Sequence, residues 1–433
     1  MKKVLFIAYY FPPIGGGGVT RPLKFFNYLP QYNWQPFVLT VKSKKFWVID
    51  PQLETQIVNK KNVHRTASFT PFELLNYFTG KKQKQVRNTN KINQYRKLAA
   101  FFCIPDVYIG WLPFALWKGI SLMRKEKFDL IFATSPPPTT LIIGMILSRL
   151  FKIPLVADFR DLWVNEYFYN PPTLFHHKLH KYLELKVVKS AELITCISES
   201  MENFLKKQYD KKISTDKIRV VSNGFDANDF NNSFPLQKND KRTITLTHTG
   251  SLTLTRTIEP LAIALKKMIV DKNIKPGDLK IILVGRRDDI NDKLIRDYQL
   301  EEIFELKSSV SHQQAIKMQA ISDILLLVGN KVRHELNNIV LTGKIFEYLA
   351  SNNPIFGIIP KNSESAKLIN SANAGITADI YDVNDIKEKL LFLITNFRNG
   401  GLKFKTDTKY IENFEYKRLT SELAGLFDSA SVE

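Results

Sequence analysis

Apolar, strand-like runs alternate with helical stretches through the first half of this chain, and the same alternation starts again near residue 243. In the first half, Lys3–Tyr9, Pro36–Val41, Leu130–Ala133, Pro154–Ala157, Leu193–Ile197 and Ile218–Val221 read as strands. Val19–Leu29, Thr140–Phe151 and Ser200–Gln208 read as helices between them. Strands this uniformly apolar are expected in a parallel sheet covered by helices on both faces. The second half repeats the scheme, with strands at Thr243–Thr249, Leu279–Val284, Ile324–Val328 and Pro354–Ile359. A chain of 433 residues exceeds one ordinary core, so two tandem doubly wound α/β domains are expected.

The expected boundaries follow from composition. A first domain covers 1–225, with a poorly alternating insertion at about 60–110. The stretch Phe225–Asp240, rich in Asn, Asp, Ser and Lys, reads as a linker. A second domain covers 226–410, and 411–433 reads as a terminal helix returning toward the first domain. In open parallel sheets, ligands bind beyond the carboxyl ends of the strands. Two such sheets facing a cleft suit a reaction between two substrates.

Composition narrows the function classes. Hydrophobic residues at 44% and charged residues at 24% describe a folded chain, not a disordered one. The two cysteines, Cys103 and Cys196, have no Cys or His at metal-ligand spacing, so they read as buried structural thiols. The apolar run Val4–Tyr10 ends in Phe11-Pro12-Pro13, as a strand and turn do, and Leu141–Ala157 is broken by Arg149 and Lys152. Neither reads as a leader or a membrane span, and a cytoplasmic protein is expected. The net charge of +20 is uneven: residues 1–220 hold 34 Lys and Arg against 15 Asp and Glu. Residues 60–97 alone carry ten basic side chains against Glu73. That asymmetry points to an anionic partner for the first domain, with an anionic membrane surface, a phosphate-bearing acceptor and nucleic acid as the candidates; a solvated basic loop is the bland alternative. The segment Tyr108–Met123, with Trp111, Phe114 and Trp117 beside Lys118, extends the candidate membrane face to residues 60–125. A core helix with Trp117 packed inside is equally compatible with that pattern.

Four motifs carry chemistry. Gly15-Gly16-Gly17-Gly18 lies between the first strand and the first helix, where bare backbone approaches a ligand closely. Its spacing is not that of the dinucleotide fingerprint. At the restart, Thr249-Gly250-Ser251 leads to Arg256, a guanidinium able to neutralise a diphosphate. Further on, Leu341-Thr342-Gly343-Lys344-Ile345-Phe346-Glu347-Tyr348 reads as a helix start with Thr342 as N-cap. It sets Lys344 for phosphate and Glu347, one turn on, for the hydroxyls of a ribose. A surface Lys–Glu pair is the competing reading of those two residues alone. Lastly, Ala157-Asp158-Phe159-Arg160-Asp161-Leu162-Trp163, together with Ser135-Pro136-Pro137-Pro138, gathers two carboxylates and a guanidinium at one strand end. Asp158, Arg160 and Asp161 are the candidate catalytic or acceptor-orienting residues, and a salt-bridged structural turn is the alternative. His176, His177 and His180 have spacings that include a metal-compatible pair, but a solvated His-rich helix face is the favoured reading.

Taken together, the helix motif followed by Asn353-Pro354, the glycine loop, Ile197-Ser198-Glu199-Ser200 and Val221-Ser222-Asn223-Gly224-Phe225-Asp226 resemble the glycogen-synthase-like retaining glycosyltransferases of family 4 type. The resemblance implies a GT-B fold, two Rossmann-like domains, and transfer from a nucleotide-diphosphate sugar with retention and without metal or other cofactor. Gly15, Gly16, Gly17, Gly18, Gly250, Ser251, Arg256, Thr342, Gly343, Lys344 and Glu347 would hold the donor. The charge and aromatics of the first domain add the expectation of a glycan or polyprenyl-linked acceptor, work in cell-surface polysaccharide synthesis, and a peripheral place on the inner membrane face; nucleic acid is not expected as a partner. Two positions depart from the family pattern: Ile339 stands where the first of two paired glutamates is expected, Glu335 falling four residues early, and Ser251 stands at the phosphate-loop arginine. A sugar-nucleotide 2-epimerase of the same fold and a non-catalytic module holding an anionic polymer are the rival readings.

Overall fold

The computed structural model describes residues 1–42, 49–69, 100–164, 171–230, 243–253, 255–332, 335–339, 341–400 and 404–431. The expected basic run at 81–97 and the linker from 231 to 240 lie outside them. The chain divides into two compact units, Met1–Ser222 with Leu419–Glu433, and Asn223–Arg418.

The first unit is built on seven parallel strands: β1 (Lys2–Ala8), β2 (Trp34–Val41), β3 (Val63–Thr66), β4 (Leu130–Ser135), β5 (Leu155–Phe159), β6 (Leu193–Cys196) and β7 (Ile218–Val220). Their order is β3-β2-β1-β4-β5-β6-β7. The chain winds outward from β1 in one direction and, after crossing back to β4, in the other, so the strand order reverses between β1 and β4. Phe6 of β1 stands opposite Val38 on one side and Phe132 on the other, with the Phe6 and Phe132 rings 4.6 Å apart. β3 falls within the stretch expected to be an insertion. Its sequence, Val-His-Arg-Thr, is too polar to announce a strand, but its register beside β2 completes the sheet edge.

The second unit has six parallel strands: β8 (Ile244–Thr249), β9 (Leu279–Val284), β10 (Phe304–Lys307), β11 (Ile324–Val328), β12 (Ile355–Ile359) and β13 (Gly375–Asp379), in the order β10-β9-β8-β11-β12-β13. The reversal falls between β8 and β11. Leu246, Ile281, Leu326 and Ile358 of the central strands are buried with Leu261, Leu265, Leu390 and Ile394 of the helices Glu259–Val270 and Val383–Arg398. Fully burying each such side chain contributes about 1.5–3 kcal/mol.

The end of the second unit comes later than the expected 410. The Phe225 amide donates to the Phe414 carbonyl at 3.0 Å, and the Tyr416 amide donates to Phe225 at 2.8 Å. This short bridge ties the segment up to Arg418 to the unit's own beginning. The helix Tyr416–Ala430 starts there, and its residues from Leu419 belong to the first unit. In that unit Phe427 packs its ring 5.4 Å from both Trp34 and Phe132.

Candidate active site

At the reversal in the second sheet, β8 ends in Thr249 and the chain turns through Gly250 at φ +133°. That is the left-handed half of backbone space, where glycine carries no Cβ penalty. A Cβ built on Gly250 would fall on the Cε and Nζ atoms of Lys344, so the lysine head lies directly over bare backbone. The neighbouring strand end is matched: Gly285 has φ +128°, and a Cβ there would strike the Gly250 carbonyl. Burial pushes the Lys344 ammonium down to about 7; nearby Arg256 adds to the shift and Glu347 opposes it.

Arg256 is held by its loop. Asn291, buried, donates from Nδ2 to the carbonyls of Leu252 at 3.2 Å and Arg256 at 3.3 Å, while its Oδ1 accepts the Ile258 amide at 2.9 Å. One amide side chain thus fixes both ends of the turn that carries the guanidinium. Arg256 pairs through its backbone with Asn330, just beyond β11, and these two residues with Thr342, Pro360 and Ser363 line a small, open depression. Ser251 is exposed, and its carbonyl accepts from Arg256 Nη1 at 3.5 Å.

Glu347 lies one turn beyond Lys344 on the helix Lys344–Ala350. Gln319 Nε2 donates to Glu347 Oε2 at 3.2 Å and to Thr249 Oγ1 at 2.9 Å. His312 places Nδ1 3.8 Å from Glu347 Oε1 and Nε2 3.3 Å from Asp229 Oδ2. Asn353 Nδ2 donates to the Gln319 and Ala320 carbonyls at 2.8 and 3.1 Å, closing the helix His312–Ala320 that carries Gln319 and His312. The structure therefore brings Gly250, Arg256, Lys344 and Glu347 into one neighbourhood. Thr342 is not the N-cap as expected: Gly343 takes that place, no side chain caps the helix, and Thr342 instead lines the depression. With only seven residues, this helix leaves the charge work to its side chains. Ile339 follows the turn Glu335–Asn338 as an apolar residue where a carboxylate was expected. Gln319, His312 and Asn291 are not legible in the motifs, because each reaches the site from a separate part of the chain.

In the first unit, the glycine loop follows β1 at the other reversal point. Gly16 has φ +101°, and Gly16 and Gly17 are exposed with open space where a Cβ would be. Gly15 and Gly18 are half-buried, and Arg160 fastens the loop, donating from Nη1 to the Gly18 carbonyl at 2.6 Å. The same guanidinium donates to the carbonyls of Ser135 at 2.8 Å and Pro136 at 3.1 Å. Arg160 is thus a buried backbone clamp and not a free cation for an acceptor. Asp158 is buried as well. Its Oδ1 accepts from Arg21 Nη2 at 2.9 Å and Thr195 at 2.8 Å, and its Oδ2 from Thr134 at 2.7 Å and Arg21 Nε at 3.3 Å. Arg21 in turn donates to the Ser222 carbonyl. These bonds put Asp158 in a buried salt bridge with Arg21 and Arg160 in a backbone clamp, which favours the structural-turn alternative over the acceptor reading. Of the three, Asp161 alone has an exposed side chain.

Residues 77–229 match the family model Glycosyltransferase Family 4. Over that stretch the chain is similar to glycosyltransferases of the family 4 type. Solved structures share its fold along nearly the whole length. A glycosyltransferase from Rickettsia africae ESF-5 is 15% identical with a TM-score of 0.61, covering 99% of this chain and 98% of that one. Sucrose-phosphate synthase from Thermosynechococcus elongatus is 12% identical with a TM-score of 0.65, covering 99% of each chain. An S. aureus TarM variant in complex with fondaparinux, α-GlcNAc-glycerol and UDP is 13% identical with a TM-score of 0.60, covering 99% and 100%. At these identities the likeness speaks for the fold, which is GT-B. Among curated proteins no sequence matches.

The remaining expectations fall on the first unit. Two of its three helix histidines do not lie on a solvated face. His176 and His180 are buried, His176 bonding Thr173 and Phe101, and His180 accepting from Trp163 Nε1 at 3.1 Å. Burial, with His176 and His177 adding, pushes the His180 imidazole down to about 4. Among the described residues no three His, Cys, Asp or Glu side chains are grouped as metal ligands. Cys196 is buried and Cys103 only half-buried. Of the two tryptophans in Tyr108–Met123, Trp111 is buried with its Nε1 2.7 Å from Thr66 Oγ1, while Trp117 is 73% exposed and not packed inside. Among the described residues no helix is long and apolar enough to cross a membrane.

Proposed function

We propose that this glycosyltransferase moves a sugar from a nucleoside-diphosphate donor held by the second unit to a hydroxyl of a glycan or polyprenyl-linked acceptor, with retention, in cell-surface polysaccharide synthesis. The observation that carries the reading is the Lys344 head seated over Gly250, with Arg256 on the adjoining loop and Glu347 one turn away. Two cations beside bare backbone suit a pyrophosphate, and a carboxylate braced by Gln319 suits the paired hydroxyls of a ribose. UDP in the TarM complex supports the class of donor.

In the reaction the bond from the anomeric carbon to the diphosphate breaks, the acceptor oxygen bonds to that carbon, and the acceptor hydroxyl gives up its proton. Negative charge grows on the leaving diphosphate. Lys344 and Arg256 meet it there, where stabilisation lowers the barrier. Those two side chains supply the charge that a metal ion would otherwise bring, so the reading assigns no metal. Gly15–Gly18 offer backbone for a phosphate or sugar, and Asp161 is the carboxylate placed to orient the acceptor. The protein would act in the cytoplasm, peripheral to the membrane that carries its acceptor.

A thermal-shift screen against sugar nucleotides, followed by turnover with the selected donor, tests the reading. Lys344→Ala and Glu347→Ala are each expected to lower donor use by on the order of 10²-fold. Wild-type turnover in both variants would remove the assignment.

A further inference from the structure

The helix Leu174–Ser190 of the first unit has an outward face unlike that of an ordinary surface helix. Its first turn exposes Leu174 and Phe175 at 79% and 67%, and beside it Phe101 and Phe102 are exposed at 47% and 73%. The three phenylalanines form one connected cluster through His176. The Phe101 ring lies 5.2 Å from Phe102 and 4.8 Å from His176, whose ring is in turn 5.8 Å from Phe175. The cluster is also fastened from beneath. Buried His176 donates from Nε2 to the Phe101 carbonyl at 3.0 Å and bonds the Thr173 hydroxyl through Nδ1 at 2.7 Å.

Charge along the same helix has one sign at the surface. Lys178, Lys181 and Lys189 are exposed, and Lys186 lies over the exposed Tyr182 ring with Nζ 5.2 Å from its centroid. The helix has one acid, Glu184, and it is buried. From its tip onward the face therefore presents apolar side chains, then lysines and an amphipathic tyrosine, with no exposed carboxylate on the helix. Apolar groups set to enter the acyl boundary, flanked by ammonium groups at headgroup level, match an anionic bilayer. A soluble polyanion would use the lysines and leave the phenylalanines idle.

We infer that the tip of this helix, with Phe101 and Phe102, is a docking surface for an anionic lipid bilayer. Trp117, to which the sequence pattern had pointed, is not among its residues. The inference does not rest on the donor reading, and its test uses no turnover.

Full-length protein is sedimented with phosphatidylcholine vesicles, with and without phosphatidylglycerol, at low and high salt. Binding is expected only with the anionic vesicles, weakening as salt rises. Phe102→Ser with Phe175→Ser is expected to reduce it at least tenfold. Lys178→Glu with Lys181→Glu is expected to reduce it by about fivefold or more per lysine at low salt. All four positions are exposed, and an unchanged melting temperature verifies the fold of each variant. Three results would overturn the inference: no vesicle binding by the wild type, loss on Trp117→Ala while both double variants bind normally, or binding to polyphosphate that rivals vesicles and ignores the phenylalanines.

Discussion

Gln319 Nε2 bridges Glu347 Oε2 at 3.2 Å and Thr249 Oγ1 at 2.9 Å, joining the helix that carries the candidate ribose ligand to the end of β8. The amide is fully buried, so its hydrogen bonds are not easily replaced by water. Gln319 is a positioning residue, since it orients Glu347 without being placed against the donor. Gln319→Leu is expected to raise the KM for the donor about tenfold, the loss of one hydrogen bond to a charged group, while changing kcat little. Steady-state kinetics separates the two. A fall in kcat alone, with KM unchanged, would contradict the assignment.

Gly250→Ala tests the seat of Lys344. The new methyl group would meet the lysine head on a backbone at φ +133°. Strain of about 1–3 kcal/mol is expected, read as a lower melting temperature, together with at least a tenfold loss of nucleoside-diphosphate affinity by calorimetry. Affinity equal to wild type would show that the lysine does not need this seat.

The depressed Lys344 fixes the sign of a pH effect. A base whose folded pKa lies below its unfolded value binds fewer protons when folded. Between about 7 and 10.5 its contribution to stability therefore rises with pH, and its full cost is felt below that window. A bound diphosphate restores the proton. Donor binding above about pH 7 is thus expected to take up as much as one proton and to weaken as pH rises. Calorimetry in buffers of different ionisation enthalpy measures the uptake, which Lys344→Met should abolish. Uptake that survives in the variant would place the titrating group elsewhere.

Asp158→Ala separates framework from chemistry in the first unit. Removing one partner of the buried pair with Arg21, 2.9 Å apart, leaves an uncompensated guanidinium and is expected to cost about 3–5 kcal/mol. Urea unfolding reads this directly. Full stability with lost transfer would return Asp158 to the acceptor site.

What the sequence discloses here is what is local. Lys344 and Glu347 lie one turn apart, and the glycines of both loops directly follow a first strand, so neighbouring residues suffice to suggest a site. β1, β4, β8 and β11 are apolar enough to be read as buried parallel strands. β3 and β13 are not, since Val-His-Arg-Thr and Gly-Ile-Thr-Ala-Asp gain their strand state from register beside β2 and β12. Asp158 and Arg160 show the opposite failure. Their types suggested chemistry, but their partners, Arg21, Thr134, Thr195 and the Gly18 carbonyl, come from strand ends and loops that only the folded sheet collects. Gln319 and His312 had no local signal at all.

The helix that begins at Tyr416 hands its residues from Leu419 to the first unit, where Phe427 covers Trp34 and Phe132. A ribosome makes that covering segment after the second unit. The opening sheet must therefore wait, one face incompletely roofed, while the whole second unit is synthesised, whereas the second unit has every part it needs before translation ends. The order of completion in the cell is thus the reverse of the order of synthesis.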